Sequence, residues 1–152
     1  MGKRSQFPRI DRDSYDTPAE AVRPLLPFLK HADGRRRFVE PCAGAGALIR
    51  HLEAAGHECV FASDLMPRAD GVKTFDLRTL PPSKVKGADM VITNPPWSRK
   101  VLHQMLVRLC QLGLPAWLLI DANWAFTGQA APYLVYCERI VTIGRVKWIP
   151  ES

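Results

Sequence analysis

No apolar run in this chain approaches the roughly 20 residues needed to cross a bilayer. The basic N-terminus passes into polar residues, without the apolar stretch of a signal peptide. Gln6 stands where a myristoylation signal wants Ser or Thr. Neither a membrane-spanning nor a secreted protein is expected. Cysteine is scarce: Cys42, Cys59, Cys110 and Cys137 show no C-x-x-C spacing and sit in apolar segments. They read as reduced core residues of a cytoplasmic protein. The four histidines are scattered, so no metal site is expected. Internal repeats and low-complexity tracts are also missing, which excludes solenoids and fibrous assemblies.

What is present is ordinary for a folded chain. Of 152 residues, 47% are hydrophobic and 24% charged, which argues against disorder. That length suits one domain and leaves no room for a separate substrate-recognition domain. Lys and Arg exceed Asp and Glu by 21 to 15. The excess gathers in "MGKRSQFPRIDR", "GRRR", "SRK" and "GRVK", which points to an anionic partner such as nucleic acid or to solvated basic loops. Residues 1–14 read as a basic flexible arm and 15–152 as one domain.

A helix start is written in "YDTPAEAV": Thr17 as cap, Pro18 at the first helical position and Glu20 closing a capping box. Pro24 and Pro27 should bend or end that helix. A buried strand at Phe38–Val39, a loop of small residues and a helix from Ala47 to Ala55 closed by Gly56 follow. "ECVFASDL", the weaker "VKTFDL" and "DMVITN" read as further strands. From Ser98 to Leu112 the apolar residues Leu102, Met105, Leu106 and Leu109 keep helical spacing, with Gly113 as the stop. "AWLLIDA" makes a fifth strand, "QAAPYLVYC" a short helix and "RIVTIGRVKWI" a sixth strand. Strands alternating with helices imply an α/β fold, a parallel sheet with helices on both faces.

In such sheets ligands sit beyond the carboxyl ends of the strands. "EPCAGAG" falls there after the first strand. Gly44 and Gly46 let the backbone turn and approach a ligand. Asp64 ends the second strand, where its carboxylate can accept from two ribose hydroxyls. A dinucleotide fingerprint would need a third glycine where Ile49 stands. It would also want no carboxylate beside a diphosphate, whereas Glu40 suits the ammonium and sulfonium of S-adenosyl-L-methionine. A tight strand-to-helix turn without a ligand is the plainer alternative.

"NPPW" closes the fourth strand. Pro95 and Pro96 fix φ and offer no donor. The Asn94 side-chain oxygen and a carbonyl at Pro95 are then two fixed acceptors, which suits the two hydrogens of an exocyclic amine. Pushed toward tetrahedral geometry, that amine aims its lone pair at a methyl group, and catalysis is positioning and electrostatics. An exposed Trp97 offers a surface on which a base stacks. Alternatively, the segment is a rigid turn with Trp97 folded into the core.

At these residues the chain resembles the class I S-adenosylmethionine-dependent methyltransferases. Among them it resembles the amino-methyltransferases with an Asn/Asp-Pro-Pro-aromatic motif, and is most similar to small phage-type DNA adenine N6-methyltransferases. The resemblance runs from about Tyr15 to Trp148. It implies a Rossmann-like three-layer sandwich with a mostly parallel sheet, S-adenosyl-L-methionine as cofactor, and nucleic acid as partner, DNA ahead of RNA. It also implies site residues. Asn94, Pro95, Pro96 and Trp97 would be catalytic. Tyr15, Thr17, Glu40, Pro41, Ala43, Gly44, Gly46, Asp64, Leu65, Asp76 and Asn94 would bind the cofactor, with Thr17 near the methionine carboxylate and Asp76 at the adenine amine. Asp76 reads equally as an exposed loop residue, and Phe126 as core packing or as a wall of the substrate pocket. Two departures stand out. Only "PES" follows "GRVKWI", so the family's last antiparallel strand is expected to be lacking, through truncation or with the open edge left to a homodimer or a partner subunit. Without a target-recognition domain, sequence specificity is expected to be low or to come from a partner. RNA adenine, cytosine N4, a protein glutamine amide, and a cofactor-binding subunit inactive alone are the alternative readings.

Overall fold

The computed structural model describes residues 14–148; of the basic arm expected over 1–14, all but Ser14 lies outside them. Five strands form one parallel sheet in the order β3-β2-β1-β4-β5. They are β1 (Arg37–Glu40), β2 (Glu58–Asp64), β3 (Lys73–Thr74), β4 (Met90–Thr93) and β5 (Ala116–Leu118). Five helices accompany them: α1 (Ala19–Val22), α2 (Ala47–Ala54), α3 (Arg99–Leu112), α4 (Ala122–Ala125) and α5 (Ala131–Leu134).

Because successive side chains of a strand point to opposite faces, β1 and β4 feed two cores at once. Phe38, Met90 and Ile92 point to one face, where Val22, Leu29, Leu48 and Leu52 cover them. Val39 and Val91 point to the other, against Leu77, Leu80, Val85, Met105 and Leu109. Continuous apolar runs rather than alternation are therefore what these short strands require. The α3 stripe divides between two neighbours, since Leu102 and Leu106 pack with Trp124 and Ala130 in a third cluster. Helices thus lie on both faces of the sheet, as the alternation of elements predicts.

α2 starts at Gly46 (φ +76°) and α3 stops at Gly113 (φ +72°), both in the left-handed region that favours glycine. Pro24 and Pro27 act as expected: the α-helix ends at Val22 and continues as a 3-10 turn over Arg23–Leu29. Thr17, however, does not cap α1. Pro18 holds the cap position without a side-chain bond, while the Thr17 hydroxyl accepts from Asn94 Nδ2 at 3.1 Å. A long-range amide has taken the hydroxyl. Glu20 closes no capping box either; its Oε1 accepts from the Lys147 backbone N–H.

The expected sixth strand is not formed: none of the described residues from 139 on is in a strand. A strand needs a partner's row of backbone groups, and this segment makes no such pairing. Trp148 packs edge-on against Tyr15 and Trp97, and Arg139 lies over the Phe28 ring. α4 was not foreseen. The cysteines also differ from expectation, since Cys110 and Cys137 are exposed and only Cys42 and Cys59 are partly buried. Cys110 lies beside, not on, the apolar stripe of α3. Phe126 is in neither of its expected places: it is 90% exposed. Among the described residues no helix is long and apolar enough to cross a membrane.

Phe38 is fully buried at the centre of the first core. Phe38→Ala should lower unfolding free energy by about 3–5 kcal/mol in a urea titration, because a cavity adds to the lost transfer energy.

Candidate functional site

Strand order reverses between β1 and β4, and at that switch point the loops leaving the two strands diverge and open a crevice. β1 delivers Glu40 to its rim and β4 delivers Thr93 followed by Asn94. The fourth strand pairs directly with the first. A cavity of about 690 Å³ opens here, within the roughly 300–1,000 Å³ usual for small-molecule sites.

Glu40 is 1% exposed, and its Oε1 accepts from both the Thr93 hydroxyl and the Cys42 backbone N–H. Its other oxygen, Oε2, is buried without a hydrogen-bond partner, although the residue lines the cavity. Burial pushes the Glu40 carboxyl up to about 8; the bonds from Thr93 and Cys42 oppose the rise, and the charge of Asp64 adds to it. A cationic donor placed at Oε2 would supply the bond that this oxygen lacks and favour the ionised carboxylate that burial alone disfavours.

The glycine loop is tied to the end of β2. Ala43 N–H donates to the Ser63 carbonyl, Gly44 N–H to Asp64 Oδ2 at 2.8 Å, and Met66 N–H to Asp64 Oδ1 at 2.8 Å. Each Asp64 oxygen thus carries one backbone bond and keeps acceptor capacity for a second. Gly44 (φ +51°) is in the left-handed region that favours glycine, and an added Cβ would stand 3.1 Å from Arg68 Nη2, which would have to give way slightly.

The "YDTP" segment closes another side. Thr17 is buried, with its hydroxyl bonded to Asn94 and its carbonyl to His51 Nε2 at 3.1 Å. With Nδ2 committed to Thr17, the Asn94 amide has its acceptor, Oδ1, to offer a ligand. Asp76 caps the 3-10 turn Leu77–Thr79 and holds the Arg78 fork, with Nη2 2.6 Å from Oδ2. Those bonds from Arg78 keep its carboxyl below the usual range. Asp76 is half-buried rather than the exposed loop residue of the alternative reading.

Tyr15, Thr17, Glu40, Pro41, Ala43, Gly44, Asp64, Leu65, Asp76, Asn94 and Pro96 all line this cavity. Gly46, Pro95 and Trp97 do not. Gly46 is used as the α2 cap and faces a shallower groove with Arg50. Pro95 is buried under the turn. Trp97 is half-buried instead of exposed: its Nε1 donates to the Leu119 carbonyl at 3.0 Å and its ring meets Trp148 edge-on at 5.5 Å. Asp16, Arg68 and Arg78 also line the cavity and were not singled out from sequence. Asp16 lies inside a quoted motif, yet nothing in the spacing of Arg68 or Arg78 marks them. Val101 and Met105 close the wall from α3. Among the described residues no group of three or more His, Cys, Asp or Glu is arranged to hold a metal ion.

The Glu40 carboxyl has an ordinary value of 4.5 and about 8 when folded, so the folded chain binds the extra proton between those limits. Its contribution to stability is full below about pH 4.5 and is lost as pH rises through about 8. Thermal melts should therefore show wild-type stability falling more steeply over that window than Glu40→Gln, with parallel curves above it. Compared with known proteins, the chain matches no family model, no curated protein and no solved structure.

Proposed function

We propose that this chain is an S-adenosyl-L-methionine-dependent N-methyltransferase acting on an exocyclic amine, with adenine N6 in DNA as the substrate. The observation that carries the reading is Glu40 Oε2, a buried acceptor without a partner in the wall of a cavity at the switch point. Four carboxyl groups line that cavity, from Asp16, Glu40, Asp64 and Asp76, against the guanidinium groups of Arg68 and Arg78. Asp16 is paired with Arg68 and Asp76 with Arg78, so Glu40 and Asp64 are the carboxyl groups left to favour an organic cation, and with it the methyl donor over a dinucleotide. The residues fit that group: Glu40 would take the ammonium, Asp64 the ribose hydroxyls, and Gly44 would allow close approach of the chain. The cofactor brings an electrophilic methyl group on its sulfonium.

The protein's part is orientation. Asn94, braced by Thr17, presents a fixed acceptor beside the cavity, and an amine bound there loses the freedom to keep its hydrogens in the plane of its ring and its lone pair delocalised into it. Desolvation by the apolar wall of Val101 and Met105 strengthens each of these polar contacts. A net charge of +6 favours an anionic polymer as the carrier of that amine. One observation favours a second reading, a cofactor-binding subunit that needs a partner. Trp97 is turned onto Trp148 and Leu119, so the expected stacking surface is absent from the cavity wall.

Transfer of labelled methyl from S-adenosyl-L-methionine, offered to unmethylated DNA, total RNA and protein extract in parallel, separates these readings. N6-methyladenine in DNA is the expected product; cofactor binding with no transfer to any acceptor would favour the second. Asn94→Ala should abolish turnover while changing affinity for S-adenosylhomocysteine by less than about threefold, since the amide acts on the acceptor amine.

A further inference from the structure

The cavity wall presents a charge problem to any ligand with an amino-acid end. Glu40 suits the ammonium, but the carboxylate beside that ammonium must settle among carboxyl groups of its own sign. Two lining residues carry guanidinium groups. Arg78 is fully used: Nε and Nη2 grip Asp76, and Nη1 reaches Gln104 at 3.1 Å. Arg68 is differently placed. It makes one ion pair, Nη2 to Asp16 Oδ1 at 2.8 Å, between residues 52 apart in sequence, both well exposed to solvent. The rest of its fork of five donors has capacity for a second anion.

Its position is fixed from below. The Arg68 backbone N–H donates to the Gly44 carbonyl at 3.0 Å, and its Nη2 occupies the space where a Gly44 side chain would project. The guanidinium therefore lies against the glycine loop in the wall of the same cavity. An exposed pair of this kind contributes little, so exchanging it for another carboxylate carries a small penalty.

We infer that Arg68 is the recognition residue for the α-carboxylate of the ligand, held in reserve on Asp16 and transferred to the ligand when it binds. The inference rests on the methyl-donor reading above. In the filled site Glu40 and Arg68 grip the ammonium and carboxylate of one amino-acid group, and Asp16 is the competitor that Arg68 leaves. Selectivity for a complete amino-acid end then comes from Arg68, while the nucleoside end is held elsewhere, at Asp64.

Titration calorimetry with S-adenosylhomocysteine and its decarboxylated analogue, which keeps the ammonium, tests this on the full chain. Wild type should prefer the carboxylate ligand by about tenfold or more, the worth of a charge-assisted hydrogen bond. Arg68→Gln should erase the preference by weakening S-adenosylhomocysteine alone, with the analogue unchanged within about twofold. Asp16→Asn, which removes the competitor and keeps the cation, should widen it. Equal weakening of both ligands by Arg68→Gln, or a preference untouched by either variant, would overturn the assignment. Wild type that binds neither ligand would overturn the methyl-donor reading, and the inference with it.

Discussion

The hydrogen bond from the Thr93 hydroxyl to Glu40 joins the ends of the two central strands, across 53 residues of sequence. Both residues are buried, so the bond is made where water cannot substitute for it. By occupying Oε1 it settles which Glu40 oxygen is left without a partner, and therefore the polarity of the cavity wall. It also brings Asn94, the next residue of β4, to the same rim. Without this contact a buried carboxyl would face an apolar crevice with only the Cys42 N–H for company, and the wall between β1 and β4 would have no fixed chemistry.

Around that bond the cavity is assembled from segments that each supply one face. The glycine loop is laced to the end of β2 through Asp64, the N-terminal segment to the β4 turn through Thr17, and the β2–β3 loop to the N-terminal segment through Arg68. Every lacing contact joins elements distant in sequence through a polar group. The aromatic trio of Tyr15, which lines the cavity, with Trp148 and Trp97 does the same work through edge contacts in place of hydrogen bonds.

Local chemistry made most of this legible. β1, β2 and β4 are apolar runs bounded by polar or small residues, α2 and α3 have glycine at their ends, and the loop residues Glu40, Gly44 and Asp64 fall together because strand order forces them to. Features decided by distant partners were not legible. Thr17 reads as a helix cap, and only the fold reveals that an amide 77 residues away claims its hydroxyl. Trp97 reads as an exposed platform because its neighbour Trp148 belongs to a segment whose β-branched residues suggest a strand. That segment has the propensity of a strand but no partner for it, and propensity alone does not build a sheet.

An all-parallel sheet contains no hairpin, so none of its pairings can form between near neighbours along the chain. Bringing β1 to β2 closes a loop of about 21 residues, as the Arg36–His57 contact at their start shows, while β1 meets β4 only across about 52, as in Arg37–Asp89. The longer closure costs about 0.8 kcal/mol more in chain entropy. Folding from the β1–β2 unit outward makes the β1–β4 seam a late event, so the crevice exists only once the most distant pairing has been made. A chain caught before that step holds a helix-backed sheet fragment and an unpaired β1 edge, with no pocket to be rescued by ligand.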